Sequence, residues 1–215
     1  MIRPRGQDRR FMAEAIALGE DARGQSAPNP NVGCVIVSKA AKIVGRGATA
    51  AGGRPHAEAV ALKQAGTKAR GSTVYVTLEP CAHESPRGPA CADLLVEARP
   101  ARVVIALKDP DRRILGKGIR RLRAAGIEVN VGVEREAAER SLSGWLTRMR
   151  LGRPRITLKF ALSIDGKISL PSGESKWITG EDARRHVHLE RAHSDMILVG
   201  RGTYLADRPQ LDVRL

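Results

Sequence analysis

A small set of residues in this chain has the types and spacing to do chemistry. His56 is followed two positions later by Glu58, then come Pro80-Cys81 and Cys91. One imidazole and two thiolates make a three-ligand set for Zn²⁺, with a fourth position open for water, as a catalytic zinc site requires. Zinc held this way lowers the pKa of bound water to about 7 and makes hydroxide available at neutral pH. Glu58, placed at a helix start, would sit near the metal without ligating it. It could take a proton from the water and hand it to a ring nitrogen and then to a leaving amine. Pro80 can open a helix after a strand, and a helix N-terminus there would favour the Cys81 thiolate. His83 is close to Cys81 in sequence, but the ligand set is complete without it. Cys34 sits in an apolar run and reads as core. His186, His188 and His193 share one predicted helix without the three- or four-residue spacing of a metal pair.

These residues must be positioned by regular elements. Phe11, Met12, Ala15, Ile16 and Gly19 recur at helical steps, so residues 7–23 are expected to form a helix closed by Gly24. The turn-rich run 26–31 leads to a β-branched strand over 32–37, with 43–47 as its hairpin partner. The pattern then predicts helix 56–65, strand 73–78, helix 91–98, strand 102–107, helix 118–125, strand 129–133 and a last helix over 134–149. Strands alternating with helices of this length predict a three-layer α/β domain. After the Arg- and Gly-containing run 148–154 the pattern restarts, with strand 156–161, helix 182–192 and strand 196–200.

Composition narrows the classes. The chain has 215 residues, 42% hydrophobic and 28% charged, enough for one large domain or for one domain plus part of another. No apolar run approaches the roughly 20 residues needed to span a bilayer, and no apolar segment follows the N-terminal charges as in a secretory signal. A disulfide scaffold is excluded by three cysteines, and reduced thiols in a cytoplasm are expected. The net charge of +14 is concentrated in residues 1–150, which carry +11, against +3 in residues 151–215. Such an excess suits phosphorylated small molecules or nucleic acid, or is a solvated arginine-rich surface. Only six residues are aromatic, which weakens a base-stacking role and argues against nucleic acid as a partner.

The zinc set resembles that of the zinc-dependent cytidine deaminase superfamily, with its H-x-E and P-C signature. The nine residues between Cys81 and Cys91 depart from the short Cys-x-x-Cys spacing and resemble the bifunctional deaminase/reductase family of riboflavin biosynthesis. So do Pro28-Asn29-Pro30-Asn31-Val32-Gly33-Cys34, Pro55-His56-Ala57-Glu58 and Tyr75-Val76-Thr77-Leu78-Glu79-Pro80-Cys81. Further on, Leu158-Lys159, Ser163-Ile164-Asp165-Gly166-Lys167 and Ser172-Gly173-Glu174-Ser175-Lys176-Trp177 match as well. The resemblance implies a zinc-dependent deaminase at residues 1–150, acting on a diaminopyrimidinone ribosylamino phosphate. It also implies a dihydrofolate-reductase-like segment at 151–215 that uses NADPH in the whole family. Within that implication His56, Cys81 and Cys91 are zinc ligands, Glu58 is the proton shuttle, and Asn29 or Asn31 faces the pyrimidine. Arg87 would clamp the substrate phosphate, or else be a solvated loop charge. Ala161, Trp177, Thr203 and Asp207 match cofactor-contact positions, and Ser175, Arg191, Leu211 and Arg214 match substrate-contact positions.

A reductase domain of this kind needs on the order of 200 residues. The 65 residues after Arg150 are therefore expected to be its N-terminal part, and the chain is expected to deaminate without reducing. A homo-oligomer is also expected. Two rival classes stay open: a polynucleotide deaminase of the tRNA-adenosine type, which predicts the short cysteine spacing, and a basic nucleic-acid-binding module, which leaves the zinc-plus-glutamate set unexplained.

Overall fold

The structure, a computed structural model, describes residues 5–83 and 87–215. It divides into two compact units, Met1–Arg155 and Ile156–Leu215. The first unit runs α1 (Arg5–Asp21), β1 (Gly33–Val37), β2 (Ile43–Ala48), α2 (Ala57–Ala65), β3 (Thr73–Leu78), α3 (Cys91–Ala98), β4 (Arg102–Leu107), α4 (Lys117–Ala124), β5 (Glu128–Val131), α5 (Arg135–Ser141) and α6 (Ser143–Leu151).

The five strands form one sheet in the order β2-β1-β3-β4-β5. β1 is antiparallel to both β2 and β3, while β3, β4 and β5 run parallel. Every residue of β1, β3 and β4 is buried, as expected of strands covered on both faces. The glycines show the two coverings directly. A Cβ on Gly33 would lie 1.8 Å from the Ala15 carbonyl oxygen of α1, and one on Gly47 would lie 2.2 Å from the Ala57 carbonyl oxygen of α2. Gly47 pairs with Cys34, the neighbour of Gly33, and neighbouring residues of a strand face opposite ways. The helices α1 and α2 therefore cover opposite faces, giving the three-layer α/β architecture the periodicity implies.

Gly47 thus lets the first turn of α2, which carries Glu58, lie directly on the sheet. Gly47→Ala should force backbone apart and cost about 1–3 kcal/mol. In a chain of this size that is a melting temperature lower by roughly 2–12 °C. Calorimetry of the variant beside the wild type checks this, and an unchanged melting temperature would mean the close approach is not structural.

Three expectations about elements need correction. The single helix over 134–149 is two, α5 and α6, broken at Leu142. The Ser143 hydroxyl donates to the Arg140 carbonyl at 2.7 Å, the local competition with helical bonding typical of serine. Pro80 opens no helix, because the chain after β3 is held against α4. Glu79 accepts from the Gly116 and Ile119 amides at 3.0 and 3.2 Å, at the α4 N-terminus. The strands expected at 156–161 and 196–200 are absent from the second unit. Among the described residues these segments have no paired strand, and an alternating apolar run becomes a strand only when a neighbour completes its hydrogen bonds.

The second unit instead holds α7 (Glu181–Ala192) and α8 (Arg201–Asp207), the latter not anticipated. None of its described residues is fully buried. Ile156, Leu158, Phe160 and Ile164 are all exposed. No helix among the described residues is long and apolar enough to cross a membrane.

Candidate active site

The start of β1, the ends of β3 and β4 and the starts of α2 and α3 converge on one place. Glu79, Pro80 and Cys81 follow β3, and Asp109 to Asp111 follow the parallel β4, so the site lies at the carboxyl ends of parallel strands, the usual crevice of an open α/β sheet. His56 is the residue before α2, Glu58 lies in the first turn of α2, and Cys91 is the first residue of α3.

Among the described residues, one group could hold a metal: His56, Cys81 and Cys91, with donor atoms within 4.8 Å of one another. His56 Nδ1 lies 3.3 Å from Cys91 Sγ and 3.6 Å from Cys81 Sγ. Tetrahedral zinc, with bonds of about 2.0 Å to nitrogen and 2.3 Å to sulfur, separates such ligands by about 3.6 Å. The donor set fits that ion in chemistry and in spacing. The other ring nitrogen, Nε2, lies 3.1 Å from Asn29 Nδ2, which donates to the Gly53 carbonyl at 2.7 Å. The Asn29 amide thus lies against the edge of the ring.

The electrostatics suit an anionic sulfur. The Cys81 thiol is held down at about 4, chiefly by the hydrogen bond from the Cys91 thiol. Its Sγ also accepts the Cys91 amide at 3.3 Å. The helix N-terminus expected at Cys81 is thus supplied by α3, ten residues on. The Cys91 thiol is pushed up by the same bond and by burial. Glu58 is buried, and its carboxyl is raised to about 7, first by desolvation and then by the charge of Cys81. Asp109 is raised to about 6, mainly by burial. Burial pushes the Cys34 thiol up too, in keeping with its place inside β1.

A cavity of about 270 Å³ opens over these groups, with Asn29, His56, Glu58, Cys81 and Arg87 on its wall. Asn31 is elsewhere: it is buried, and its amide donates to the Gly19 carbonyl at 3.2 Å and to Ser141 Oγ at 3.4 Å. It ties β1 to α1 and α5 and does not face the cavity. The Arg87 guanidinium donates to the Gly52 carbonyl at 3.4 Å. Residues 84–86 of the inter-cysteine loop lie outside the described residues.

Sequence reasoning missed Arg54, Asp109, Asp111, Arg113 and Trp145 as cavity residues, and it set His83 aside as a ligand without giving it another place. The Asp-Pro-Asp turn directly after β4 was the one available signal, since ligand-contacting loops follow parallel strands. Arg113 pairs with Asp111 through Nε and Nη2, at 2.9 and 2.5 Å to Oδ2.

In the second unit, Trp177 is 72% exposed, with the Arg184 guanidinium 4.4 Å from its ring centroid. Thr203 and Asp207 lie exposed on α8, Ser175 is exposed, and Ala161 is half-buried. Arg191 donates to the Asp212 carbonyl at 3.0 Å, next to Leu211. The Arg214 amide donates to His188 Nδ1 at 3.0 Å.

Residues 5–107 match the cytidine and deoxycytidylate deaminase zinc-binding region, and residues 154–215 match the RibD C-terminal domain. The chain is similar to RibD proteins over nearly its whole length. It is 50% identical over 208 residues to the riboflavin biosynthesis protein RibD of Escherichia coli, covering 97% of this chain and 56% of that protein. Among solved structures it is similar to Acinetobacter baumannii RibD, with TM-score 0.88, 46% identity, and coverage of 99% of this chain and 59% of the other. It is also similar to a Thermotoga maritima diaminohydroxyphosphoribosylaminopyrimidine deaminase/5-amino-6-(5-phosphoribosylamino)uracil reductase, with TM-score 0.91, 40% identity, and coverage of 98% and 60%. The chain thus spans somewhat more than half the length of the RibD proteins it matches.

Proposed function

We propose that residues 1–150 form a zinc-dependent deaminase that hydrolyses the ring amine of 2,5-diamino-6-ribosylamino-4(3H)-pyrimidinone 5′-phosphate in riboflavin biosynthesis. The observation that carries this reading is Glu58, a buried carboxylate held beside the His56, Cys81 and Cys91 donors on a cavity that also presents arginines. The residue pattern of the two matched families and the substrate named for the Thermotoga relative support the same choice.

Zinc at His56, Cys81 and Cys91 would supply an acidified water at neutral pH. Glu58, poised near neutrality by burial, takes a proton on its carboxylate and returns it to a ring nitrogen as the carbon–oxygen bond forms. It then carries the second proton to the amine, which leaves as ammonia while the ring carbonyl forms. Asn29 lies beside the His56 ring and faces the same cavity, within reach of the pyrimidine. Arg54 and Arg87 bring to that cavity the positive charge a phosphate ester needs, while Arg113 on the same wall is paired with Asp111.

Residues 151–215 are proposed to belong to an NADPH-dependent reductase domain. Trp177, Thr203 and Asp207, the positions matching cofactor contacts, are exposed. These positions alone enclose no dinucleotide. A reducing, cytoplasmic setting and a homo-oligomeric assembly complete the proposal. The three free cysteines support the first, and light scattering tests the second.

The test is ammonium release from the ribosylaminopyrimidine phosphate by the zinc-loaded protein, run beside cytidine and a tRNA anticodon loop. Turnover of the pyrimidine phosphate alone is the expected result, and preferential turnover of either competitor would overturn it. Arg87→Ala, or removal of the substrate phosphate, should raise KM at least about tenfold, because a charged hydrogen bond is worth roughly 1.5–3 kcal/mol. Unchanged steady-state constants in both cases would remove Arg87 and the phosphate from recognition.

A further inference from the structure

Five buried side-chain polar atoms among the described residues have no hydrogen-bond partner. Three of them, Arg54 Nε, His83 Nδ1 and Trp145 Nε1, belong to residues on the wall of the one cavity that holds His56 and Glu58. A buried donor without a partner is costly, and native proteins keep very few. Two of the three, Arg54 Nε and Trp145 Nε1, can only donate, so this wall offers donors that lack acceptors.

Trp145 is the least expected of these. It lies on α6, where its neighbours Leu142 and Leu146 are buried in the core and fix the helix. Its ring packs partly against that core while also lining the cavity. An indole offers a hydrogen-bond donor and no acceptor, and so does a guanidinium. Trp145 and Arg54 together therefore suit a group made of acceptors alone. A phosphate ester is such a group, whereas a pyrimidine edge mixes donors and acceptors. The Glu58 carboxylate and the Asn29 amide are among the cavity groups that can meet a mixed edge.

We propose that Trp145 is a substrate-binding residue of the deaminase, its indole Nε1–H donating to an oxygen of the substrate's ribose phosphate while its ring walls the cavity. This rests on the proposed deaminase reading of the cavity. The indole is rigid, with two side-chain torsions to fix, so the contact costs little ordering on binding.

The test uses ¹⁵N-labelled, zinc-loaded full chain. The chain has two tryptophans, so two indole N–H signals are expected, and Trp145→Phe or Trp177→Phe assigns them by difference. Ribose 5-phosphate should move the Trp145 signal downfield, and ribose without the phosphate should not. In turnover, Trp145→Phe should raise KM by about tenfold, the scale of one hydrogen bond to a charged group, with kcat within about threefold, the pattern of lost ground-state binding. A Trp145 signal unmoved by ribose 5-phosphate, or moved equally by ribose, overturns the proposal, as does an unchanged KM in a folded Trp145→Phe protein. If that variant does not fold, the wild-type titration decides. A Trp145 signal that responds to ribose 5-phosphate in a protein that releases no ammonia would sustain the contact and reject the deaminase reading.

Discussion

Glu58→Gln should keep its zinc and lose deamination by about 10²-fold or more, the usual scale for a positioned acid–base group. The amide has the shape of the carboxylate but cannot carry a proton. Glu58 lies in the first turn of α2 and is buried, so the variant removes a titratable group without opening a hole. Desolvation raises the wild-type carboxyl to about 7, so its ionisation costs folding stability as pH rises above the unfolded value; a neutral amide removes that cost, and the variant should be no less stable near pH 7. Metal analysis with ammonium release on the same sample reads both halves. A zinc-replete Glu58→Gln protein that still deaminates at the wild-type rate would end the proton-shuttle role.

Cys81→Ser and Cys91→Ser should each strip the metal. Serine oxygen is a poor substitute for thiolate at a site whose other protein ligands are one imidazole and one sulfur. Both sulfurs also join elements: Cys81 follows β3 and accepts the amide of Cys91, the first residue of α3. A ligand present at a hundred times its dissociation constant stabilises by about 2.7 kcal/mol. At about 2–4 °C per kcal/mol for a chain of this size, each variant should melt roughly 5–10 °C lower than the zinc-loaded wild type. The difference should vanish when the wild type is stripped by chelator. Variants that bind one zinc per chain would remove these cysteines from the ligand set.

The parts of the fold most legible in the sequence are those buried on both sides. β3 and β4 were readable to the residue because Thr73–Leu78 and Arg102–Leu107 are continuous runs with both faces covered. Cys91–Ala98 was equally plain, opening after Pro89-Ala90 and ending at Arg99, which takes a left-handed conformation. The break at Leu142 was hidden because apolar spacing continues through it while the Ser143 hydroxyl takes the Arg140 carbonyl. The alternating run 156–162 carries a strand's pattern, but pattern alone supplies no pairing partner.

The cavity was legible only where chemistry marks it. His56, Glu58, Cys81 and Cys91 stand out by type and spacing. Of the two asparagines flanking Pro30, the sequence could not say which turns inward. The structure separates them, with Asn29 beside His56 and Asn31 tied to α1 and α5. Arg54, Arg113 and Trp145 come from three distant segments, and only the fold brings them to one wall.

The central claim is that one zinc at His56, Cys81 and Cys91 makes this chain a deaminase. Titrating zinc into chelator-stripped protein, while following ammonium release from the ribosylaminopyrimidine phosphate, tests it most directly. Activity should be absent at zero metal, rise in proportion to bound zinc and level off at one ion per chain. Full activity in the metal-free protein, or none at one bound zinc per chain, would contradict it.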